Sequence, residues 1–349
     1  MTTLSTSLAI APASHALSLT YSSQFGSFGT ADGQFEIPQG IALDSSSNIF
    51  VVDANNNRIQ KFDSSRGFQS TFGTFGSGNG QFSEPQGIAL DSSGNIFVVE
   101  RGNDRIQKFD SSGGFLATFG TGAGSGNGQF NNPVGIALDS IGNIFVSDTD
   151  NNRIQKFDSS GVFQSTFGTS GSGNGQFSFP SGIALDSIGN IFVTDFGNSR
   201  IQKFDSSGAF LAAFGDGAGA GDGQFDAPRG IALDSTGNIY VADSSNNRVQ
   251  VFDSSGSYLT QIGTFGTGNG EFSQLSFLAV QNNKLWLNRC FGEVKKGESP
   301  TKHSAELFPS SWHYEQTQRS PNTKVTFLEK YHDEDVTKSA KATKSLPWY

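Results

Sequence analysis

Residues 94–115 read GNIFVVERGNDRIQKFDSSGGF, and close variants of this stretch occur five times along the chain. Inside it, IFVVE (96–100) and RIQKF (105–109) are short apolar runs separated by Arg101-Gly-Asn-Asp104. GIAL (87–90) precedes them across Asp91-Ser-Ser-Gly-Asn95, and FLATF (115–119) follows across Asp110-Ser-Ser-Gly-Gly114. Runs of about five residues bounded by Gly, Asn, Asp and Ser clusters predict strands joined by turns. They are too short and too heavily punctuated for helices. The unit is a four-stranded antiparallel meander.

The units are tied together by a proline followed two residues later by Gly-Ile-Ala-Leu-Asp. It stands at Pro38, Pro85, Pro133, Pro180 and Pro228, with spacings of 47, 48, 47 and 48 residues. A fixed period of this size marks a repeat architecture. Side chains alternate along a strand, so Ile96 and Val98 face one way while Phe97 and Val99 face the other. Both faces of each sheet are apolar and both need cover. Stacking copies radially supplies that cover and leaves only short edges. The predicted fold is an all-β propeller.

The string PxGIALDxxGNIFVxDxxNxRIQKFD closely resembles the NHL repeat, found in β-propellers that commonly have six blades. The resemblance covers about residues 21–288 and implies a six-bladed propeller of four-stranded antiparallel blades. Five full copies start near residues 38, 85, 133, 180 and 228, and a degenerate one starts near 275, where Leu275 replaces the proline and Phe277 the glycine. Residues 23–29 read like the last strand of a blade. Closure of the ring is therefore expected, with an N-terminal strand completing the last blade and residues 290–296 supplying its third strand. The expected organisation is a leader at 1–20, a propeller at 21–296 and an unassigned tail at 297–349. Residues 8–19, LAIAPASHALSL, are mildly apolar and signal-like, but they lack a basic start and contain Pro12. An extracellular or cell-surface location is expected, with a cytoplasmic one as the alternative.

Charge narrows the function. The chain has 349 residues and a net charge of −9; residues 289–349 hold 10 basic and 8 acidic groups, leaving −11 on the first 288. Such a surface repels phosphate backbones, so nucleic acid is disfavoured as a partner. Animal NHL propellers attached to zinc-binding ubiquitin ligase domains can bind RNA through a basic face, but this chain has neither that charge nor a RING-like cysteine pattern. Its one cysteine, Cys290, excludes an internal disulfide. No apolar run approaches membrane-spanning length. A monomer is expected.

Differences between the copies point to a working face. In a meander, the inter-blade linker and the second-to-third loop share one face, and the other two turns share the opposite face. The opposite face barely changes: DSSSN, DSSGN, DSIGN, DSIGN and DSTGN, then DSSRG, DSSGG, DSSGV, DSSGA and DSSGS. The first face exchanges charged, amide and aromatic groups on a constant frame, as recognition surfaces on loops do. Its candidate binding residues are Glu84, Arg101, Asp104, Asp150, Phe179, Phe196 and Arg229. The expected function is non-catalytic recognition of a protein, peptide or glycan.

Two other patterns have structural readings. The acids Asp53, Glu100, Asp148, Asp195 and Asp243 recur five residues before Arg58, Arg105, Arg153, Arg200 and Arg248, and are expected to form ion pairs within or between blades. The aspartates at 44, 91, 139, 186 and 234 are expected to bond amides of their own turns. Enzymes of similar architecture imply alternatives. Peptide-amidating lyases use a histidine-held zinc and streptogramin lyases need histidine, but His15, His303, His313 and His332 all lie outside the blades. No catalytic residue, metal ligand or cofactor is assigned. Calcium-dependent lactonases use carboxylates and Asn in the channel, so a calcium-dependent hydrolase or lyase stays open. A structural extracellular module is the third reading.

Overall fold

The computed structural model describes residues 22, 24–266, 268–273, 275–281 and 284–289. Five four-stranded antiparallel blades follow in chain order. Blade 1 comprises Pro38–Leu43, Ile49–Asp53, Arg58–Phe62 and Phe68–Phe72. Blade 2 comprises Pro85–Leu90, Ile96–Glu100, Arg105–Phe109 and Phe115–Phe119. Blade 3 comprises Pro133–Leu138, Ile144–Asp148, Arg153–Phe157 and Phe163–Phe167. Blade 4 comprises Pro180–Leu185, Ile191–Asp195, Arg200–Phe204 and Phe210–Phe214. Blade 5 comprises Pro228–Leu233, Ile239–Asp243, Arg248–Phe252 and Tyr258–Ile262. Strands pair in sequence order.

The period of two explains the stacking. Ile96 and Val98 of blade 2 pack against Phe50, Val52 and Ile59 of blade 1. Phe97 and Val99 pack on the other side, against Phe130, Ile136, Ile144 and Phe157, on blade 3 and the linker that leads into it. Each blade is thus half of two hydrophobic cores, and the apolar repeat makes sense only in a ring. Glycine sets how close the inner strands come. A Cβ on Gly135 would stand 2.1 Å from the carbonyl oxygen of Ser181 in the next blade. A side chain there would push two first strands apart.

The turns form as their chemistry dictates. Asp44 Oδ1 accepts the N–H groups of Ser46 and Asn48, and Asp91, Asp139, Asp186 and Asp234 repeat the pattern. In the third-to-fourth turns, hydroxyl and amide donors lower the carboxyl pKa of Asp63, Asp110, Asp158, Asp205 and Asp253, the serine hydroxyl being the largest cause.

The expectation of six four-stranded blades is corrected to five among the described residues. There the sheet after blade 5 has two strands, Leu275–Gln281 and Lys284–Arg289. It lies between blades 5 and 1. Leu275 and Leu278 pack with Tyr240, Ala242 and Val249, while Ala279 and Trp286 pack with Ile41, Ile49 and Phe62. The repeat fails at a definable point. Arg289 pairs with Leu275 as Asp53 pairs with Pro38, so a base occupies the register position of the acid that joins second and third strands elsewhere. The third strand expected at 290–296 lies outside the described residues, as do the leader at 1–20 and the tail at 297–349.

The N-terminal segment is described from residue 24 onward. Ser27–Phe28 pairs in parallel with Gln34–Phe35, as Thr169–Ser170 pairs with Gln176–Phe177. Ser27–Phe28 is thus in a linker pairing, and the third strand that a closing strand would join lies outside the described residues. Phe25 nevertheless sits 5.0 Å from Phe62, just as Phe72, which ends a fourth strand, sits 5.0 Å from Phe109. The chain start therefore holds the packing place of a fourth-strand end.

Candidate functional site

The frame beneath the variable loops is a buried polar lock repeated in every blade. Asp53, Glu100, Asp148, Asp195 and Asp243 are fully buried. Each faces its arginine across the second and third strands, with the Arg Nε 2.6–2.8 Å from a carboxylate oxygen: Arg58, Arg105, Arg153, Arg200 and Arg248. In blade 3, Asp148 also accepts the N–H of Asn131, the side-chain amide of Asn151 and that of Gln155. Arg153 and Gln155 reach on to carbonyls of Gly126 and Gln129 in the preceding linker. The lock therefore pins the chain where it crosses from one blade to the next. Burial raises the carboxyl pKa of Asp148 and Asp195, against the hydrogen bonds that lower it.

Part of this lock escaped the sequence reading. Gln60, Gln107, Gln155, Gln202 and Gln250 are fully buried, and each donates to its blade's acid. The signal was there: one amide stands unchanged five times in the middle of a strand. The partner amides Asn56, Asn103, Asn151, Asn198 and Asn246 were equally constant.

The linker and the second-to-third loop do share a face. Arg101 N–H donates to Glu84 O, Asp150 N–H to Asn131 O and Gly197 N–H to Ser178 O. On this face Arg101 stands 3.6 Å from Glu84, within one blade. The guanidinium of Arg229 lies 5.5 Å from the Phe196 ring, across the seam between blades 4 and 5. Phe179 lies in the linker of blade 4, beside the loop that carries Phe196. Asp150 is exposed and accepts from the side-chain amide of Asn132 at 2.5 Å.

Asp104 has a different use. Its Oδ1 accepts the backbone N–H of Asn132 in the next blade at 2.8 Å. Burial raises its pKa, this hydrogen bond opposes the rise, and Asp148 and Asp150 add to it. The candidates thus fall into two groups, an acidic one at blades 2 and 3 and an aromatic–cationic one at blades 4 and 5.

The channel presents different chemistry. A cavity of about 280 Å³ is lined by the first strands, including Ile41, Ala89, Ile136, Ala184, Ile231 and Val280. No carboxylate is among the side chains that line it, and Gln281 is the one polar side chain there, whereas calcium requires six to eight oxygen ligands. Among the described residues no group of three or more His, Cys, Asp or Glu side chains converges on a metal position. Nor is any helix of the described residues long and apolar enough to cross a membrane.

Comparison with known proteins agrees with this architecture. A model of the NHL repeat matches residues 35–62, 82–109, 130–157, 177–204 and 225–252. A stretch of 51 residues is 43% identical to Protein brain tumor of Drosophila melanogaster, covering 15% of this chain and 5% of that protein. A gluconolactonase from Xanthomonas campestris superposes with a TM-score of 0.56 at 17% identity, covering 74% of this chain and 85% of that one. A chain of the nidogen/laminin complex superposes with a TM-score of 0.53 at 19% identity, covering 66% and 82%. At these identities the two structures attest the fold alone, and their own functions differ.

Proposed function

We propose that this chain, which belongs to the NHL-repeat β-propeller family, is a non-catalytic binding module that takes a protein, peptide or glycan on its variable loop face. One observation carries the reading. Recent copies of one blade keep their lock, turns and cores, yet they exchange Arg101, Phe179, Phe196 and Arg229 into a single face. A rigid frame with chemistry varied on one side is how loop-borne recognition is built. The nidogen/laminin likeness supports a protein-binding use of such a frame, and the gluconolactonase likeness shows that the fold also hosts chemistry.

The calcium-dependent channel hydrolase draws less support, because no carboxylate is among the side chains that line the channel and calcium sites are built on carboxylate oxygens. We read the ring as six-fold, with the two-stranded sheet in the sixth place, and the module as a monomer working at or outside the cell surface. The test is a thermal melt of the full chain with added calcium and then with chelator. A metal bound only by the native state raises the midpoint. An unchanged midpoint, with no hydrolysis of lactone or ester substrates, is expected. A calcium-raised midpoint accompanied by lactone hydrolysis would replace the binding module with the channel enzyme.

A further inference from the structure

Among the described residues six linkers carry the same four-residue turn, and in one of them a backbone N–H lacks the acceptor that the others have. The turns are 31–34, 78–81, 126–129, 173–176, 221–224 and 268–271, each closed by the N–H of its last residue on the carbonyl of its first at 3.0–3.2 Å. The third residue is glycine with a φ of 74–79° throughout. The second is an exposed acid or amide: Asp32, Asn79, Asn127, Asn174, Asp222 and Asn269. In the first five turns the glycine N–H is held by the lock glutamine 27 residues on. Gly33 donates to Gln60 Oε1, Gly80 to Gln107, Gly128 to Gln155, Gly175 to Gln202 and Gly223 to Gln250, all at 2.8–2.9 Å. Gly270 of the sixth turn has no such glutamine, because the next one after Gln281 is Gln316. Among the described residues no acceptor meets the Gly270 N–H.

The difference matters because an Asn–Gly pair can react with itself. The glycine nitrogen attacks Cγ of the asparagine, gives up its proton and expels the side-chain nitrogen as ammonia, which closes a succinimide ring. Water then opens the ring at either carbonyl and leaves aspartate or isoaspartate. In sum, one amide and one water give one carboxylate and one ammonium ion, and no other reactant is needed. Glycine favours the step because no side chain crowds its nitrogen. A nitrogen whose proton is bonded to a buried amide oxygen attacks only after that bond opens. Gly-Asn-Gly is the local sequence at Asn79, Asn127, Asn174 and Asn269 alike. Their intrinsic reactivity is therefore matched, and the glutamine is what separates them.

We propose that Asn269 is a site of spontaneous deamidation, while Asn79, Asn127 and Asn174 are shielded by the lock. The reaction adds a negative charge two residues from Glu271, and as isoaspartate it adds a carbon to the backbone of the turn. That turn runs directly into Phe272, which packs with Tyr240, Val249, Leu275 and Leu278 between blade 5 and the two-stranded sheet. The product therefore loosens this seam. The inference does not depend on what the variable face binds.

The test uses the full chain without mutation. The protein is incubated in mildly alkaline buffer and digested, and each Asn–Gly peptide is scored by mass spectrometry for the acid and for isoaspartate. Asn269 should deamidate at least about tenfold faster than Asn79, Asn127 or Asn174, the factor set by one hydrogen bond that must first open. In denaturant the four should react at similar rates. Hydrogen exchange followed by NMR should show the amides of Gly80, Gly128 and Gly175 protected relative to that of Gly270. The deamidated protein, separated by its added charge, should melt at a lower temperature than fresh protein. Equal native rates at the four asparagines would overturn the site, equal exchange would overturn its cause, and an unchanged melt would overturn its effect on the seam.

Discussion

The Arg229 guanidinium lies 5.5 Å from the centre of the Phe196 ring, so a residue of blade 5 covers a residue of blade 4. The lysine–ring pairs Lys61–Phe50, Lys108–Phe97, Lys156–Phe145 and Lys203–Phe192 instead lie within one blade and recur with the repeat. The blade 4–5 pair is an individual feature laid on a periodic frame.

Removing that pair should leave the fold standing. Phe196 and Arg229 are both half-buried, and a cation–π contact contributes about 0.5–2 kcal/mol. F196A and R229A are each expected to lower the midpoint of a thermal melt by only a few degrees while the far-UV spectrum is unchanged. Global unfolding of either variant at room temperature would mean that these residues belong to the frame.

The lock should behave in the opposite way. Arg153→Ala leaves the carboxylate of Asp148 buried without its cation, a loss of about 3–5 kcal/mol. Chemical denaturation should show it, and Ile141→Ser, in an exposed turn of the opposite face, should cost under about 0.5 kcal/mol. Equal effects would show that the Asp–Arg pairs are incidental.

Inner-strand packing gives a third expectation. Gly135→Ala places a methyl group 2.1 Å from a backbone oxygen of the next blade, and backbone cannot step aside. A loss of about 1–3 kcal/mol follows. Gly126→Ala is the control, because its new methyl meets only the end of the Gln129 side chain. The ranking of the two denaturation midpoints checks the claim.

The turn aspartates set the acid response. The folded pKa of Asp158 lies below its unfolded value because Ser160 and Val162 donate to the carboxylate. Its contribution is therefore present above the ordinary aspartate range and is lost as pH falls below about 4. Asp148 and Asp195 run the other way: burial raises their folded pKa, so protonation on acidification favours the folded state. D158N should lower the midpoint at pH 7 and flatten its fall below pH 4. An unchanged slope would remove Asp158 from the acid response.

Much of this was legible before any coordinates. A period of 47–48 residues with four apolar runs per unit demands a ring of sheets, and the alternation of Ile96, Phe97, Val98 and Val99 demands cover on both faces. The two loop faces follow from strand order alone. The individual uses of loop residues were not legible. Asp104 looked like a surface charge, yet it holds a backbone N–H across a seam, because bonds between blades depend on three-dimensional register rather than spacing. Of the sixth sheet two strands stand among the described residues, and there Leu275 and Arg289 hold the register positions of the proline and acid of a full blade.

The central claim is that partners dock on the variable face. The most direct measurement is to pan the full chain against a displayed peptide library and a glycan array, then to retest the best ligand on two variants. One carries Arg101→Ala, Phe196→Ala and Arg229→Ala; the other carries Ile141→Ser and Ile188→Ser in exposed turns of the opposite face. Loss of binding in the first variant and full binding in the second is the predicted result. Binding that survives the first and disappears in the second would put the working surface on the face where the turns barely change.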